Sequence, residues 1–225
     1  MALTRRAVIA GLALSGCVGA RQRASQLTFR AEDGVSVSGE TYGSGRRAVV
    51  LVPGGHGVGE TWAVQAERLA RAGFLVLAMD YRGRGRAAAA APDDAKTHLD
   101  VIGAVRRLRA TGARSVAVVG ASWGGWAAGT AAVAAPGLID RLVLLAHSPF
   151  DHPDRLGGRK LFVVARDDRD GAGRPRLEAI REQHDRAPPP RQLVVLEGAA
   201  HAQFLFLTRQ SERLYSEMLR FLSAP

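Results

Sequence analysis

The chain has 225 residues, 47% hydrophobic and 23% charged, proportions that are typical of a single globular domain with its own core. Its formal net charge of +10 comes mainly from arginine, which is scattered along the chain. It shows neither the clustered basic stripe nor the sequence module of nucleic-acid binding, so nucleic acid is not an expected partner. The single cysteine, Cys17, excludes an internal disulfide, and no run of about 18 apolar residues predicts a membrane-spanning helix.

The first predicted segment is an export signal. Arg5-Arg6 precedes an apolar stretch at residues 7–14, which ends in Leu14-Ser15-Gly16-Cys17. This order resembles a bacterial lipoprotein signal peptide at residues 1–16. The resemblance implies cleavage before Cys17, lipidation of that cysteine, and an exported protein held at the cell-envelope membrane by a lipid anchor. The alternative is an ordinary first helix with a buried cysteine.

Strand and helix patterns alternate after a polar tether at residues 17–26, and they predict one α/β domain over residues 27–225. Residues 27–31 and 35–42 alternate apolar and polar positions, which predicts an antiparallel hairpin at the edge of the sheet. Continuous apolar strands, typical of a buried, mostly parallel sheet, follow at residues 48–52, 74–79, 115–119, 142–146, 161–165 and 193–196. Helical patterns lie at residues 60–72, 93–111, 126–135, 175–186 and 211–222.

Ser122 is the predicted nucleophile. It lies in Gly120-Ala121-Ser122-Trp123-Gly124, between a predicted strand and a predicted helix. In a G-x-S-x-G elbow the tight turn strains the backbone of the serine, so small residues are needed two places to either side. The turn exposes the hydroxyl and points free N–H groups of the following helix at the same place.

A serine hydroxyl needs a histidine to take its proton and an acid to orient that histidine. His201 follows the last predicted strand and is the candidate base. Asp168 follows the preceding strand and is the candidate acid, with Asp167 as a close alternative and Asp151 as a more remote one. The order serine, acid, histidine is the order of the α/β-hydrolase elbow enzymes.

With these motifs, residues 27–225 resemble a compact α/β-hydrolase of the dienelactone hydrolase and small serine esterase branches. The resemblance implies a mostly parallel, doubly wound sheet with the N-terminal hairpin. Only residues 147–160 lie between two consecutive predicted strands where relatives often carry a helix or a lid, so no large cap domain is expected. The resemblance also implies a catalytic triad of Ser122, Asp168 and His201. The sequence shows no glycine-rich phosphate loop, zinc-ligand cluster or dinucleotide fingerprint, so no cofactor and no metal are expected. The expected partner is a small-molecule ester, cleaved through an acyl-enzyme. The sequence does not indicate an oligomeric state.

Two more motifs belong to the resemblance. Pro53-Gly54-Gly55 resembles the oxyanion turn and residues 80–85 resemble the family's D-x-R-G-x-G loop. The expected oxyanion donors are the backbone N–H groups of Gly55 and Trp123. Because Pro53 replaces the usual histidine, the register of this turn stays open between Gly55, His56 and Gly57. Gly55 is favoured because a glycine N–H can approach a ligand closely.

The tryptophans and the class of function each have more than one interpretation. The tryptophans Trp62, Trp123 and Trp126 are candidates for the apolar wall of a substrate pocket, with buried packing as the other interpretation. A serine peptidase or thioesterase uses the same triad and is the alternative within the enzymes. From another class, the alternative is a non-catalytic envelope binding protein on a hydrolase scaffold.

Overall fold

The computed structural model describes residues 24–55, 57–87 and 91–224. The predicted signal peptide at residues 1–16, Cys17 with most of the tether, and His56 lie outside these ranges. Lipidation, export and attachment to the envelope therefore stay predictions. In the described part, no helix combines the length and the apolar character needed to cross a membrane.

Eight strands form one sheet in the described part of the chain. They are β1 (Ser25–Arg30), β2 (Ser36–Tyr42), β3 (Arg47–Val52), β4 (Leu75–Met79), β5 (Ser115–Ala121), β6 (Arg141–Leu145), β7 (Arg159–Ala165) and β8 (Arg191–Leu196). Their order across the sheet is β1-β2-β4-β3-β5-β6-β7-β8. The hairpin of β1 and β2 is antiparallel, β2 pairs antiparallel with β4, and the other neighbours are parallel. The predicted fold class is confirmed.

Helices cover both faces of the sheet. They are α1 (Ala63–Arg71), α2 (Thr97–Ala110), α3 (Trp123–Ala134), α4 (Arg176–Arg186) and α5 (Ser211–Ser223). One apolar cluster joins α2, α3 and α4 to Val50 and Val52 of β3, and the other joins α1 and α5 to Val49 and Leu51. Successive side chains of a strand point to opposite faces, so a strand covered on both sides is apolar throughout.

Several element boundaries differ from the sequence patterns. β1 begins at Ser25, inside the predicted tether, and pairs there with Thr41 of β2. Short 3₁₀ helices at Gly59–Trp62 and Asp94–Lys96 precede α1 and α2 in place of their predicted first turns. β5 runs on to Ala121 and α3 begins at Trp123, so a single residue, Ser122, turns the chain.

The segment between β6 and β7 contains only one short 3₁₀ helix, Pro153–Arg155. No large cap domain covers the carboxyl ends of the strands in the described part of the chain, as the sequence predicts. A six-residue 3₁₀ helix, Ala202–Leu207, lies between β8 and α5.

Candidate active site

Ser122 occupies a strained turn that only glycine neighbours permit. Its backbone angles are φ 51° and ψ −115°, in a region that non-glycine residues rarely adopt. A Cβ atom on Gly120 would lie 2.3 Å from the carbonyl oxygen of Gly124. A Cβ atom on Gly124 would lie 2.4 Å from the carbonyl oxygen of Pro53, beyond the end of β3. The glycine frame therefore lets α3 start directly against the two neighbouring strands.

The structure brings Ser122, His201 and Asp168 into one hydrogen-bonded chain. His201 Nε2 lies 2.9 Å from Ser122 Oγ, and His201 Nδ1 lies 2.8 Å from Asp168 Oδ2. A carboxylate accepts a hydrogen bond from Nδ1–H, so the proton stays on Nδ1 and Nε2 is free to accept the serine proton. Asp168 is 1% exposed, whereas Asp167 and Asp151 are both exposed. Of the three candidate acids, the structure places Asp168 against the histidine.

Besides His201, Asp168 has a cationic neighbour that the sequence patterns do not indicate. Arg176 Nε, at the start of α4, lies 3.6 Å from Asp168 Oδ1. The backbone N–H of Arg176 also donates to the backbone carbonyl oxygen of Asp168 at 2.9 Å. Arg176 therefore fixes the loop that carries the acid and opposes the negative charge of its carboxylate.

The turn after β3 contains the candidate oxyanion donor. The N–H of Gly57 donates to Gly54 O at 2.8 Å, and the N–H of Gly54 donates to Gln203 Oε1 at 3.2 Å. Among the described residues, the N–H groups of Gly55 and Trp123 have no hydrogen-bond acceptor. Gly55 has φ 47° and adjoins the same cavity as Ser122. This pattern leaves Gly55 and Trp123 available to an oxyanion, while His56 lies outside the described residues.

Three side chains hold the oxyanion turn in place. Tyr81 Oη donates to Pro53 O at 2.6 Å, and Arg84 Nη1 donates to Gly55 O at 2.7 Å. Gln203, whose side-chain oxygen accepts from Gly54, also donates from Nε2 to Thr61 Oγ1 at 2.8 Å. Tyr81 and Arg84 belong to the D-x-R-G-x-G motif, so that motif supplies part of the support for the turn. Nothing in the sequence pattern singles out Gln203.

The sequence of residues 47–181 matches the profile of the alpha/beta hydrolase fold family. The chain belongs to the α/β-hydrolase family. A comparison with curated protein sequences finds no significant match to this hydrolase.

Solved structures show the same fold at low sequence identity. An esterase of Pyrococcus furiosus is 18% identical with a TM-score of 0.74, over 89% of this chain and 92% of that one. A dienelactone hydrolase of Anabaena variabilis is 18% identical with a TM-score of 0.71, over 89% and 97% of the two chains. An esterase of Exiguobacterium antarcticum is 16% identical with a TM-score of 0.70, over 88% and 99%. At these identities the likeness establishes the fold of the hydrolase.

A cavity of about 560 Å³ opens beside Ser122 and His201. Its apolar wall comes from Val64, Phe204, Phe206 and Leu207. Of the two interpretations of the tryptophans, the structure supports packing, because none of them lines this cavity. Trp62 is fully buried, with its ring centroid 6.0 Å from that of Phe206, and Trp123 and Trp126 stack on each other with ring centroids 4.4 Å apart.

A buried histidine, His147, lies behind the elbow of the hydrolase. Its Nε2–H donates to Gln183 Oε1 at 3.0 Å, because the Gln183 amide nitrogen itself donates to Phe150 O. Burial lowers the pKa of His147 to about 4, so the imidazole is neutral in the folded protein at neutral pH. His147 contributes to packing and has no contact with the triad hydrogen bonds. Among the described residues, no group of three or more potential ligands is placed to hold a metal ion.

Proposed function

We propose that this hydrolase cleaves carboxylic esters through an acyl-enzyme formed on Ser122. The observation that carries the proposal is the hydrogen-bonded chain from Ser122 through His201 to the buried Asp168. The Pyrococcus and Exiguobacterium relatives are named esterases and the Anabaena relative a dienelactone hydrolase, which supports ester hydrolysis. The cavity beside Ser122 supplies room for a substrate.

In the first half of the reaction, Ser122 Oγ attacks the carbonyl carbon of the ester while His201 Nε2 takes the hydroxyl proton. The N–H groups of Gly55 and Trp123 stabilise the oxyanion that forms. The bond from the carbonyl carbon to the alcohol oxygen then breaks. His201 passes its proton to that oxygen, so the alcohol leaves and the acyl group stays on Ser122.

Water completes the cycle in the second half. His201 takes a proton from water as the water oxygen attacks the acyl carbon, and the bond to Ser122 Oγ breaks. The proton returns to Ser122 and the carboxylic acid is released. Asp168 holds the imidazole in the tautomer with Nδ1 protonated and stabilises its charged form during both halves. Arg176 keeps the Asp168 loop in position.

Substitution of the serine tests the proposal. Ser122→Ala is expected to lower kcat/KM for p-nitrophenyl acetate by roughly 10⁴-fold or more, because the nucleophile of the triad is lost. It is also expected to abolish labelling by a fluorophosphonate probe. The matched control is Ser115→Ala, at the opposite end of the same strand β5, which is expected to keep both properties. Wild-type turnover or labelling of the Ser122→Ala variant would refute the proposal.

A further inference from the structure

We infer that the cavity beside Ser122 binds an uncharged hydrocarbon chain, so that the hydrolase selects esters with an apolar chain. The inference rests on the proposed ester hydrolysis at Ser122 and adds a substrate class to it. The apolar chain belongs to either the acyl or the alcohol side of the ester. Both sources share the chemistry that the cavity recognises, and the experiment below separates them.

The first observation is where the exposed apolar side chains lie. Val64 and Phe204 are each 65% exposed and Leu207 is 79% exposed. Among the described residues these are the large hydrophobic side chains with such exposure, and all three line this one cavity. A single exposed apolar residue is ordinary, but a concave group of them beside a reactive side chain is typical of a binding site.

The second observation is how the cavity connects to the reacting atoms. The 3₁₀ helix Ala202–Leu207 begins directly after His201 and supplies Phe204, Phe206 and Leu207. The facing side consists of the Gly54–Gly55 turn and the first residues around α1, including Val64. A chain attached to an ester carbonyl at Ser122 Oγ therefore lies at the entrance to these apolar side chains, beside the uncharged polar groups of Thr61, Gln65 and Gln203.

The wall of the cavity is firmly supported from below. Phe206 is 9% exposed and packs edge to face against the fully buried ring of Trp62, with an interplanar angle of 73°. Leu205, the neighbour of Phe206, is 1% exposed and belongs to the core between the sheet and α5. A preformed wall binds an apolar chain without the entropy cost of ordering a loop.

The third observation concerns the charge of the described residues around the cavity. Apart from the imidazole of His201, no ionisable side chain is among the described residues that line the cavity. The nearby Arg84 is already paired with Asp94 at 2.6 Å and bonded to Gly55 O. A substrate carboxylate in this cavity would lose water without gaining a cation. The cavity therefore favours a neutral chain over one that ends in a charge.

Two series of substrates test the inference. The first varies the acyl chain of p-nitrophenyl esters from acetate to octanoate, and the second varies the alcohol of acetate esters over the same lengths, all below micelle-forming concentrations. We expect kcat/KM to rise about four-fold for each added methylene in one series, the equivalent of ~0.8 kcal/mol per buried CH₂. That series identifies the bound side of the ester. A flat profile in both series would overturn the inference.

Variants of the wall connect the length preference to the cavity. Phe204→Ser and Leu207→Ser are each expected to reduce the preference for the longest over the shortest ester by about five-fold. The control Leu27→Ser, on the edge strand β1 outside the cavity, is expected to keep the wild-type preference. An unchanged preference in both wall variants would contradict the inference.

A charged substrate and the serine variant complete the test. An ester whose apolar chain ends in a carboxylate is expected to react at least about ten-fold more slowly than the neutral ester of equal length. Equal kcat/KM values for the carboxylate-ended ester and the neutral ester would contradict the inference that the cavity binds an uncharged chain. If Ser122→Ala is inactive and the length profiles are flat, only the chain-binding inference fails. If Ser122→Ala remains active, the proposed function fails.

Discussion

Gln203 links the segment after β8 to the segment after β3, which is far away in the sequence. Its Oε1 accepts the N–H of Gly54 at 3.2 Å, and its Nε2 donates to Thr61 Oγ1 at 2.8 Å. The bond to Gly54 turns that amide away from any ligand and leaves the next amide, that of Gly55, available. Because Gln203 follows His201 by two residues, the same loop positions both the candidate base and the candidate oxyanion turn.

We predict that Gln203→Ala lowers kcat on p-nitrophenyl acetate by about ten-fold with little change in KM. Complete loss of an oxyanion donor typically costs ~100- to 1,000-fold, and here the donor is only less well held. Steady-state kinetics separate the effect on kcat from the effect on KM, and the loss of an interaction made only in the transition state lowers kcat. The matched control is Gln210→Ala, whose amide donates to Glu197 O outside the cavity. A ten-fold rise in KM at unchanged kcat would show that Gln203 contacts the substrate instead.

The elbow between β5 and α3 is the element on which the site depends most. We predict that Gly124→Ala lowers the unfolding temperature by roughly 4–8 °C, the equivalent of ~2 kcal/mol in a chain of this size. The added Cβ would meet the backbone oxygens of Pro53 and Val52 at 2.4 and 2.5 Å, and neither can move without shifting β3. Ser122 would shift with α3, so fluorophosphonate labelling is expected to slow as well.

Gly157→Ala is the control for this prediction, because its added Cβ would have no atom within 4 Å. Calorimetry or circular dichroism on both variants measures the unfolding temperature. If Gly124→Ala unfolds at the wild-type temperature and is labelled at the wild-type rate, the crowding at the elbow does not constrain the fold.

Elements differ in how far the sequence could predict them. The parallel strands are continuous apolar runs because both faces are covered, and Ser122, Asp168 and His201 each follow the end of such a run. The 3₁₀ helix Ala202–Leu207 was not predicted. In Phe204-Leu205-Phe206-Leu207 every residue is apolar, so no periodicity tells which side chains face the core. Leu205 packs into the cluster that includes α5, Phe206 packs against Trp62, and Leu207 lines the cavity, so the orientations follow from contacts with distant parts of the chain.

The whole sheet brings the site together at one edge. Val52 of β3 lies opposite Gly120 of β5 in parallel register, so the turns after these two strands lie level with each other. Asp168 follows β7, and His201 follows its neighbour β8. Sites in open parallel sheets form at the carboxyl ends of the strands. The alternation of strands and helices is enough to predict that the site lies at the carboxyl ends of the strands. The contacts of Gln203 with Gly54 and of Arg176 with Asp168 depend on how close separate loops come to each other there, which the sequence pattern does not give.

The packing beside that edge includes a neutral buried imidazole. His147 is 1% exposed, its ring lies 5.7 Å from that of Phe150 and 5.5 Å from that of Phe162, and Gln183 of α4 accepts its Nε2–H. Its Nδ1 is buried and has no hydrogen-bond partner in the described part of the chain. Burial opposes protonation most strongly, the bond to Gln183 partly offsets it, and the positive charge of Arg176 adds a smaller opposition, so the pKa of His147 is lowered to about 4.

This shift makes the stability of the whole molecule depend on pH. An unfolded histidine takes up a proton near its ordinary pKa of ~6.5, whereas folded His147 does so only near 4, so the unfolded state binds more protons between these values. The free energy of unfolding is therefore expected to fall by about 3 kcal/mol as the pH drops from 6.5 to 4. Urea denaturation at several pH values measures it. His147→Gln should flatten the profile in this window, and the exposed His152→Asn should not. Equal slopes for wild type and His147→Gln would contradict the prediction.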